Sequence, residues 1–207
     1  MSVAEKTPIE RAKPQDVGRI HLVRHGTPDL SRAKWLTRQG FNEWWAEYGR
    51  VGLVANQEPP AALVEVAQGT SSFLSSPIPR AQETAKLLAG TNDITVAPGF
   101  IEAPLPAPFI LPFLRITPPL WGTLARFIWW LGYSAGGETR FEAENRAEAA
   151  ADRLIELAAL GTGDVLICGH GWFNHMLIRQ LKKRGWKRIG GEGGSGHWSH
   201  SSFASPL

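Results

Sequence analysis

Short apolar runs that end in glycine, proline or serine recur along this chain, and stretches with helical spacing lie between them. Ile20 to Val23 follows Gly18 and ends in Arg24-His25-Gly26, the pattern of a buried strand opening into a loop. Phe73-Leu74 before Ser75-Ser76-Pro77, Ile94 to Val96 before Pro98, and Val165 to Cys168 before Gly169-His170-Gly171 repeat it. Pro59 to Gln68 and Pro79 to Ala89 each open on proline, which suits a first helical turn where no backbone donor is needed. Glu138 to Leu160 is the clearest helix, because Ala147, Ala150, Leu154, Leu157 and Ala158 share one face while Glu144, Glu148, Asp152, Arg153 and Glu156 mostly take others. Strands alternating with helices predict an α/β sandwich around a mainly parallel sheet, with ligands bound beyond the carboxyl ends of the strands. Both His-Gly pairs fall at such ends.

Composition narrows the reading. A chain of 207 residues, 43% hydrophobic, can bury a sizeable core and suits a single domain over residues 1–207. Residues 1–17 read as a loose tail, with no apolar stretch of the kind a signal peptide carries. The most apolar region, Leu105 to Tyr133, is interrupted by Arg115, Arg126 and several prolines, so it is not a membrane span, which needs about 20 mostly uncharged residues. The lone cysteine, Cys168, cannot form an internal disulfide, and a reducing cytoplasm is the expected setting. Lys and Arg total 22 against 19 Asp and Glu, a net +3 that fits small anionic substrates better than nucleic acid.

The informative constellation is Val23-Arg24-His25-Gly26, then Ser76-Pro77-Ile78-Pro79-Arg80-Ala81-Gln82-Glu83-Thr84, then Cys168-Gly169-His170-Gly171. In this order the motifs resemble those of the histidine phosphatase (phosphoglycerate mutase-like) superfamily: RHG on the first strand, a second arginine opening a helix in SP-x-x-RA-x-ET, and a late GHG. Gly136-Gly137-Glu138-Thr139 is similar to the family's GES helix start, and the similarity spans roughly Arg19 to Leu181. The resemblance implies a three-layer α/β/α sandwich and a phosphatase that acts on a phosphomonoester through a phosphohistidine on His25, without cofactor or metal. It also implies that residues 103–135, rich in aromatics and proline, form a lid insertion at the mouth of the site.

The residue types suit that chemistry. Phosphate monoesters repel anionic attackers, so a neutral imidazole is a good nucleophile. The histidine pKa of about 6.5 should be lowered at His25 by Arg24 and Arg80, and its second ring nitrogen should donate to a backbone carbonyl that aims the ring. Arg24 and Arg80 offer planar forks that match phosphate oxygens, and His170 offers a further donor. Gly26 and Gly171 are expected to let backbone approach the phosphate, with a helix after Gly171 aiming its N–H groups at the anion. Glu102 is the expected proton donor, since it follows the Ile94 to Val96 strand where the resembled family carries its catalytic glutamate; Asp29 is the reserve.

Several positions depart from the family pattern. Thr27 follows Gly26 where many members have Glu or Gln. Ala103-Pro104-Leu105-Pro106 lacks the aromatic-Glu-Gly continuation of the glycolytic mutases, and Gly171 stands where the acid phosphatase and phytase branch has aspartate. Two other functions stay open: a phosphoglycerate mutase-type phosphomutase, and a catalytically silent phosphate-binding or peripheral membrane module. His21 reads as a packed strand residue. A metal site built on His21 and His25, or on His197 and His200, is opposed by the neighbouring arginines. Cys168 lacks the arginine six positions on that a cysteine phosphatase needs, Asn174 standing there, and reads as a core residue. Gly191 to Gly196 matches a dinucleotide fingerprint in letters but reads as a loop, and Lys182, Lys183, Arg184, Lys187 and Arg188 read as a solvated helix end. Phe41, Trp44, Trp45 and Tyr48 sit at helical spacing. With Trp35, Trp121, Trp129 and Trp130 they are expected to meet, either as core or as a lid favouring a substrate with an apolar part.

Overall fold

The computed structural model describes residues 17–109, 113–194 and 196–206. The expected tail thus lies outside the described residues except for Val17, which packs against the core. Six strands, β1 (Ile20–Arg24), β2 (Thr70–Ser75), β3 (Ile94–Val96), β4 (Asp164–Gly169), β5 (Lys187–Gly190) and β6 (His200–Ala204), form one sheet in the order β3-β2-β4-β1-β6-β5. The first four in that order run parallel, while β6 is antiparallel to β1 and β5 to β6. Six α-helices among the described residues accompany them: α1 (Arg38–Tyr48), α2 (Ala61–Gln68), α3 (Pro79–Ala89), α4 (Pro118–Trp130), α5 (Arg140–Ala159) and α6 (Gly171–Lys183).

The period-2 alternation of the strands sets the layers. Ile20, Leu22, Leu74, Val165 and Ile167 face the side covered by α5 and α6, where Leu154, Phe173 and Leu177 are fully buried. Val23, Phe73, Leu166 and Cys168 face the other side, under α2 and α3. This is the expected α/β/α sandwich. A third apolar cluster joins α1 to α4 through Phe41, Trp44 and Trp121, with the rings of Phe41 and Trp121 stacked at 5.8 Å.

Helix ends follow local chemistry. Thr139 caps α5 in a capping box with Glu142, an arrangement worth about 1 kcal/mol. Pro79 opens α3 as the sequence predicts. After α6, Gly185 takes a left-handed φ of 82° and Trp186 turns inward to a buried position, which ends the helix without a proline.

That ending corrects one reading. Lys187 and Arg188 belong to the edge strand β5, and the helix-end reading holds only for Lys182, Lys183 and Arg184. Gly191 to Gly194 lies in the connection that follows β5, the loop that the sequence predicts. The expected Pro-rich lid is also less irregular than its composition suggests, since Pro118 and Pro119 occupy a helix start and α4 runs on from them.

Candidate active site

β1 and β4 are adjacent and parallel, with Arg24 in register with Gly169. Their carboxyl ends therefore deliver His25 and His170 side by side, with ring centroids 5.3 Å apart. Arg80, in the first turn of α3, enters between them. Its Nε donates to Nε2 of His25 at 3.1 Å, one terminal nitrogen donates to the carbonyl of Tyr48, and the other reaches Nδ1 of His170 at 3.5 Å. The Tyr48 ring lies under the guanidinium, 4.0 Å from ring centre to Cζ. Arg80 is 1% exposed, and these acceptors are all neutral.

Those partners decide the tautomers. The carbonyl of Gly26 can only accept, so Nδ1 of His25, 2.8 Å away, carries the proton and Nε2 is left with its lone pair. Arginine can only donate, so Nδ1 of His170 accepts and its Nε2–H donates to the Ser76 hydroxyl at 2.8 Å. Both imidazoles are held neutral, their pKa values well below 6.5. Burial is the largest cause at His25, followed by His170 and Arg80, with Arg24 weaker still. Removal from water thus outweighs the two arginines to which the sequence points. For His170, burial again leads, then Arg80, Arg24 and Arg146.

Neighbouring motif residues support this pair. Thr84 accepts the N–H of Gly26 at 2.9 Å and donates to the carbonyl of Arg80 at 2.7 Å. Glu83 accepts the N–H of Leu53 at 2.6 Å, and Asn174 donates to the carbonyl of Val23 at 3.0 Å. The glycines also make room for side chains. A Cβ on Gly26 would come within 2.5 Å of the Trp198 ring, and one on Gly171 would meet the Arg24 guanidinium at 3.3 Å. Each makes room for a side chain; Gly171 is what lets Arg24 lie flat over the start of α6. Arg24 keeps its Nε buried without a hydrogen-bond partner.

Glu102 lies at the same end of the sheet and lines one cavity with Arg24 and His25. Its oxygens accept the N–H of Phe173 at 2.9 Å and of Trp172 at 3.3 Å, so the N-terminus of α6 holds this carboxylate. Two arginines grip its backbone from either side. Arg146 donates to the carbonyls of Gly99 and Ile101 at 3.0 and 2.8 Å, and Arg126 to those of Ala103 and Pro104, each at 3.2 Å. Burial lowers the pKa of Arg126 to about 10. Asp29, the reserve, is exposed.

The cavity has a volume of about 620 Å³ and is walled mainly by aromatic and apolar side chains of α1 and α4, among them Trp44, Trp45, Phe127 and Trp130. The tryptophan-bearing segments thus meet. Trp121 and Trp129 are buried core, Trp45 and Trp130 stand at the cavity wall, and Trp35 is exposed. Among the described residues, no group of three or more His, Cys, Asp or Glu is placed to hold a metal ion, and no helix is long and apolar enough to cross a membrane.

Residues 20–191 match the model of the histidine phosphatase superfamily, branch 1. The chain belongs to that superfamily. This histidine phosphatase superfamily member is similar in fold to a mycobacterial glucosyl-3-phosphoglycerate phosphatase, with 20% identity and a TM-score of 0.58 over 89% of each chain. It is also similar to phosphoserine phosphatase from Entamoeba histolytica in complex with 3-phosphoglyceric acid, with 15% identity and a TM-score of 0.55 over 91% of this chain and 98% of that one. The ecdysone phosphate phosphatase from Bombix mori shares 15% identity and a TM-score of 0.54 over 91% of this chain and 92% of its own. No curated relative matches the sequence significantly.

Four residues of this superfamily member's site are not assigned to it by the sequence, where Tyr48 reads as an aromatic of core or lid and His197 only as a disfavoured metal ligand. Tyr48 offers its carbonyl and ring to Arg80, while Arg126 and Arg146 hold the Glu102 segment. His197 stands 5.6 Å from His25, ring centre to ring centre. No local motif surrounds any of them.

Proposed function

We propose that the chain is a metal-independent, cytoplasmic phosphatase that hydrolyses the phosphomonoester of a bulky, largely apolar alcohol through a phosphohistidine on His25. The observation that carries this reading is the Arg80–His25 pair: a buried guanidinium with neutral partners that donates to the unprotonated, lone-pair-bearing nitrogen of the imidazole. A buried cation without a counter-ion is costly, and a phosphate dianion in this cleft would supply one. Arg24, the Gly171 backbone beneath Arg24 and His170, whose Nδ1 can donate only after the arriving dianion lets it take up a proton, complete the proposed phosphate cradle. A lone buried thiol, Cys168, fits the cytoplasmic setting.

In the proposed reaction the phosphate displaces Arg80 from Nε2 of His25 and takes over its donors. Nε2 then attacks phosphorus in line with the ester oxygen, while the P–O bond to the alcohol breaks. Glu102, protonated once the dianion's charge lies beside it, gives its proton to the departing alkoxide, a contribution of about 10²–10⁴ in rate for a positioned acid. The same carboxylate, now ionised, takes a proton from water as water attacks the phosphohistidine, and inorganic phosphate leaves. The Gly26 carbonyl keeps the ring aimed throughout by holding Nδ1–H. The aromatic cavity beside Glu102 receives the alcohol part, with the described residues of the 103–135 stretch, 103–109 and 113–135, acting as its lid. Its volume is within the range of small-molecule sites, about 300–1,000 Å³.

A panel of phosphomonoesters with wild type and His25→Ala tests the reading. Turnover of 3-phenylpropyl phosphate at least about 10-fold better than glycerol phosphate, both alkyl esters, is expected, the gain from burying ~60 Å² more apolar surface. Labelled phosphate should be trapped on His25 in an acid-labile, alkali-stable bond. No turnover of any ester by wild type would favour the silent binding module, and isomerised phosphosugar without free phosphate would favour the mutase.

A further inference from the structure

We infer that His197 is a third imidazole of the phosphate site, presenting Nε2 to an oxygen of the transferring phosphoryl group. The inference rests on the phosphatase reading of that site and adds a contact from the C-terminal hairpin.

The turn that carries His197 is built onto the nucleophile's own backbone. Arg24 N–H donates to the carbonyl of Ser199 at 2.8 Å, and Trp198 N–H donates to the carbonyl of His25 at 3.3 Å. Trp198 holds a left-handed φ of 63°, which costs a bulky residue about 1 kcal/mol or more and persists only where surroundings impose it. Here they do. The indole lies against Gly26 in the space a Cβ would fill. Its Nε1–H donates at 3.1 Å to Gln57 Oε1, which also accepts the N–H of Thr27 at 2.7 Å. The residues after the RHG motif are thus shaped to accept this one strained tryptophan, and the consequence of seating it is the placement of its neighbour, His197.

His197 is set 5.6 Å from His25 with the rings tilted by 35°. Its Nε2 is buried and has no hydrogen-bond partner among the described residues, an arrangement that calls for a missing partner. Burial, then Arg24, Arg32 and Arg80, hold its pKa down at about 4. A neutral imidazole in the field of three arginines, with no carboxylate bonded to it among the described residues, is set for an anion rather than a cation. An anion drawn in by those arginines would meet the Nε2–H tautomer as a donor, and the same anion offsets the field that disfavours an imidazolium.

The rival explanation is that His197 merely packs on His25 and steadies it, which a phenyl ring would do as well. Vanadate binding, measured by calorimetry on the full chain, separates the two. His197→Phe is expected to weaken vanadate about 10- to 100-fold, the loss of a hydrogen bond to a charged group, while melting at the wild-type temperature. His197→Gln, which keeps a donor, should recover most of the affinity. Should the Phe variant melt early, His197→Ala against His197→Gln carries the same comparison. Phe or Ala variants that bind vanadate as the wild type does would overturn the inference and leave the phosphatase reading intact. Wild type that binds no vanadate would overturn both.

Discussion

Arg80 donates its Nε–H to Nε2 of His25 at 3.1 Å, so the atom proposed to attack phosphorus is covered by the group proposed to hold the phosphate. Binding and activation are then one event: an arriving dianion draws the guanidinium away and uncovers the lone pair. Arg80→Lys keeps a charge but not the fork, and Arg80→Ala removes both. Each is expected to lower kcat/KM by about 10²–10³, the usual effect of deleting one transition-state donor. A steady-state assay checks it, and an Arg80→Lys enzyme with wild-type kcat/KM would contradict the assignment.

Stability should fall in mild acid. The unfolded chain protonates its histidines near pH 6.5, while folded His25 and His170, buried and neutral, do so only well below that. Between those points the unfolded state binds more protons, so unfolding becomes easier as pH drops through the window and is insensitive to these groups above it. The slope is at most about 1.4 kcal/mol per pH unit for each histidine. Urea midpoints at pH 7.5 and 5.5 should differ accordingly, and His170→Gln should flatten the dependence. Equal midpoints would count against neutral burial.

The cavity prediction uses Gly122, which lines it from α4. A Cβ there meets just the side chain of Leu105 at an ordinary 3.5 Å, so Gly122→Leu should fold and project into the cavity. KM for 1-naphthyl phosphate should rise about 10-fold, equivalent to ~60 Å² of lost apolar burial, with methyl phosphate unaffected. Equal effects on both esters would place the alcohol elsewhere.

Arg146 bonds Glu138 at 2.7 Å and the carbonyls of Gly99 and Ile101, which makes it a positioning residue for Glu102. Arg146→Met should reduce kcat on alkyl phosphates about 10-fold or more, since an alkoxide needs its proton. For p-nitrophenyl phosphate, whose leaving group needs none, the loss should be small. A merely structural role would lower both substrates alike.

The amino-acid sequence was explicit about what local chemistry controls. Strand-then-glycine patterns gave away β1 and β4, and the parallel pairing of those strands puts Arg24, His25 and His170 together, as their motifs imply. Prolines and the alanine face announced α3 and α5. β5 was illegible because all its residues are exposed, leaving no alternation to read, and α4 was hidden by the prolines that start it. Which glycine made room for which side chain, which nitrogen of each imidazole keeps its proton, and how deep burial drives their titration all depend on groups distant in sequence. His197 is the clearest such case. It lies far along the chain from His25 with no motif around it, and only the pairing of β6 with β1 and the wedge of Trp198 against Gly26 bring it to the cleft. Periodicity and capping are short-range and so are written in neighbouring residues, whereas desolvation and proton placement are properties of the packed surroundings, which only tertiary structure assembles.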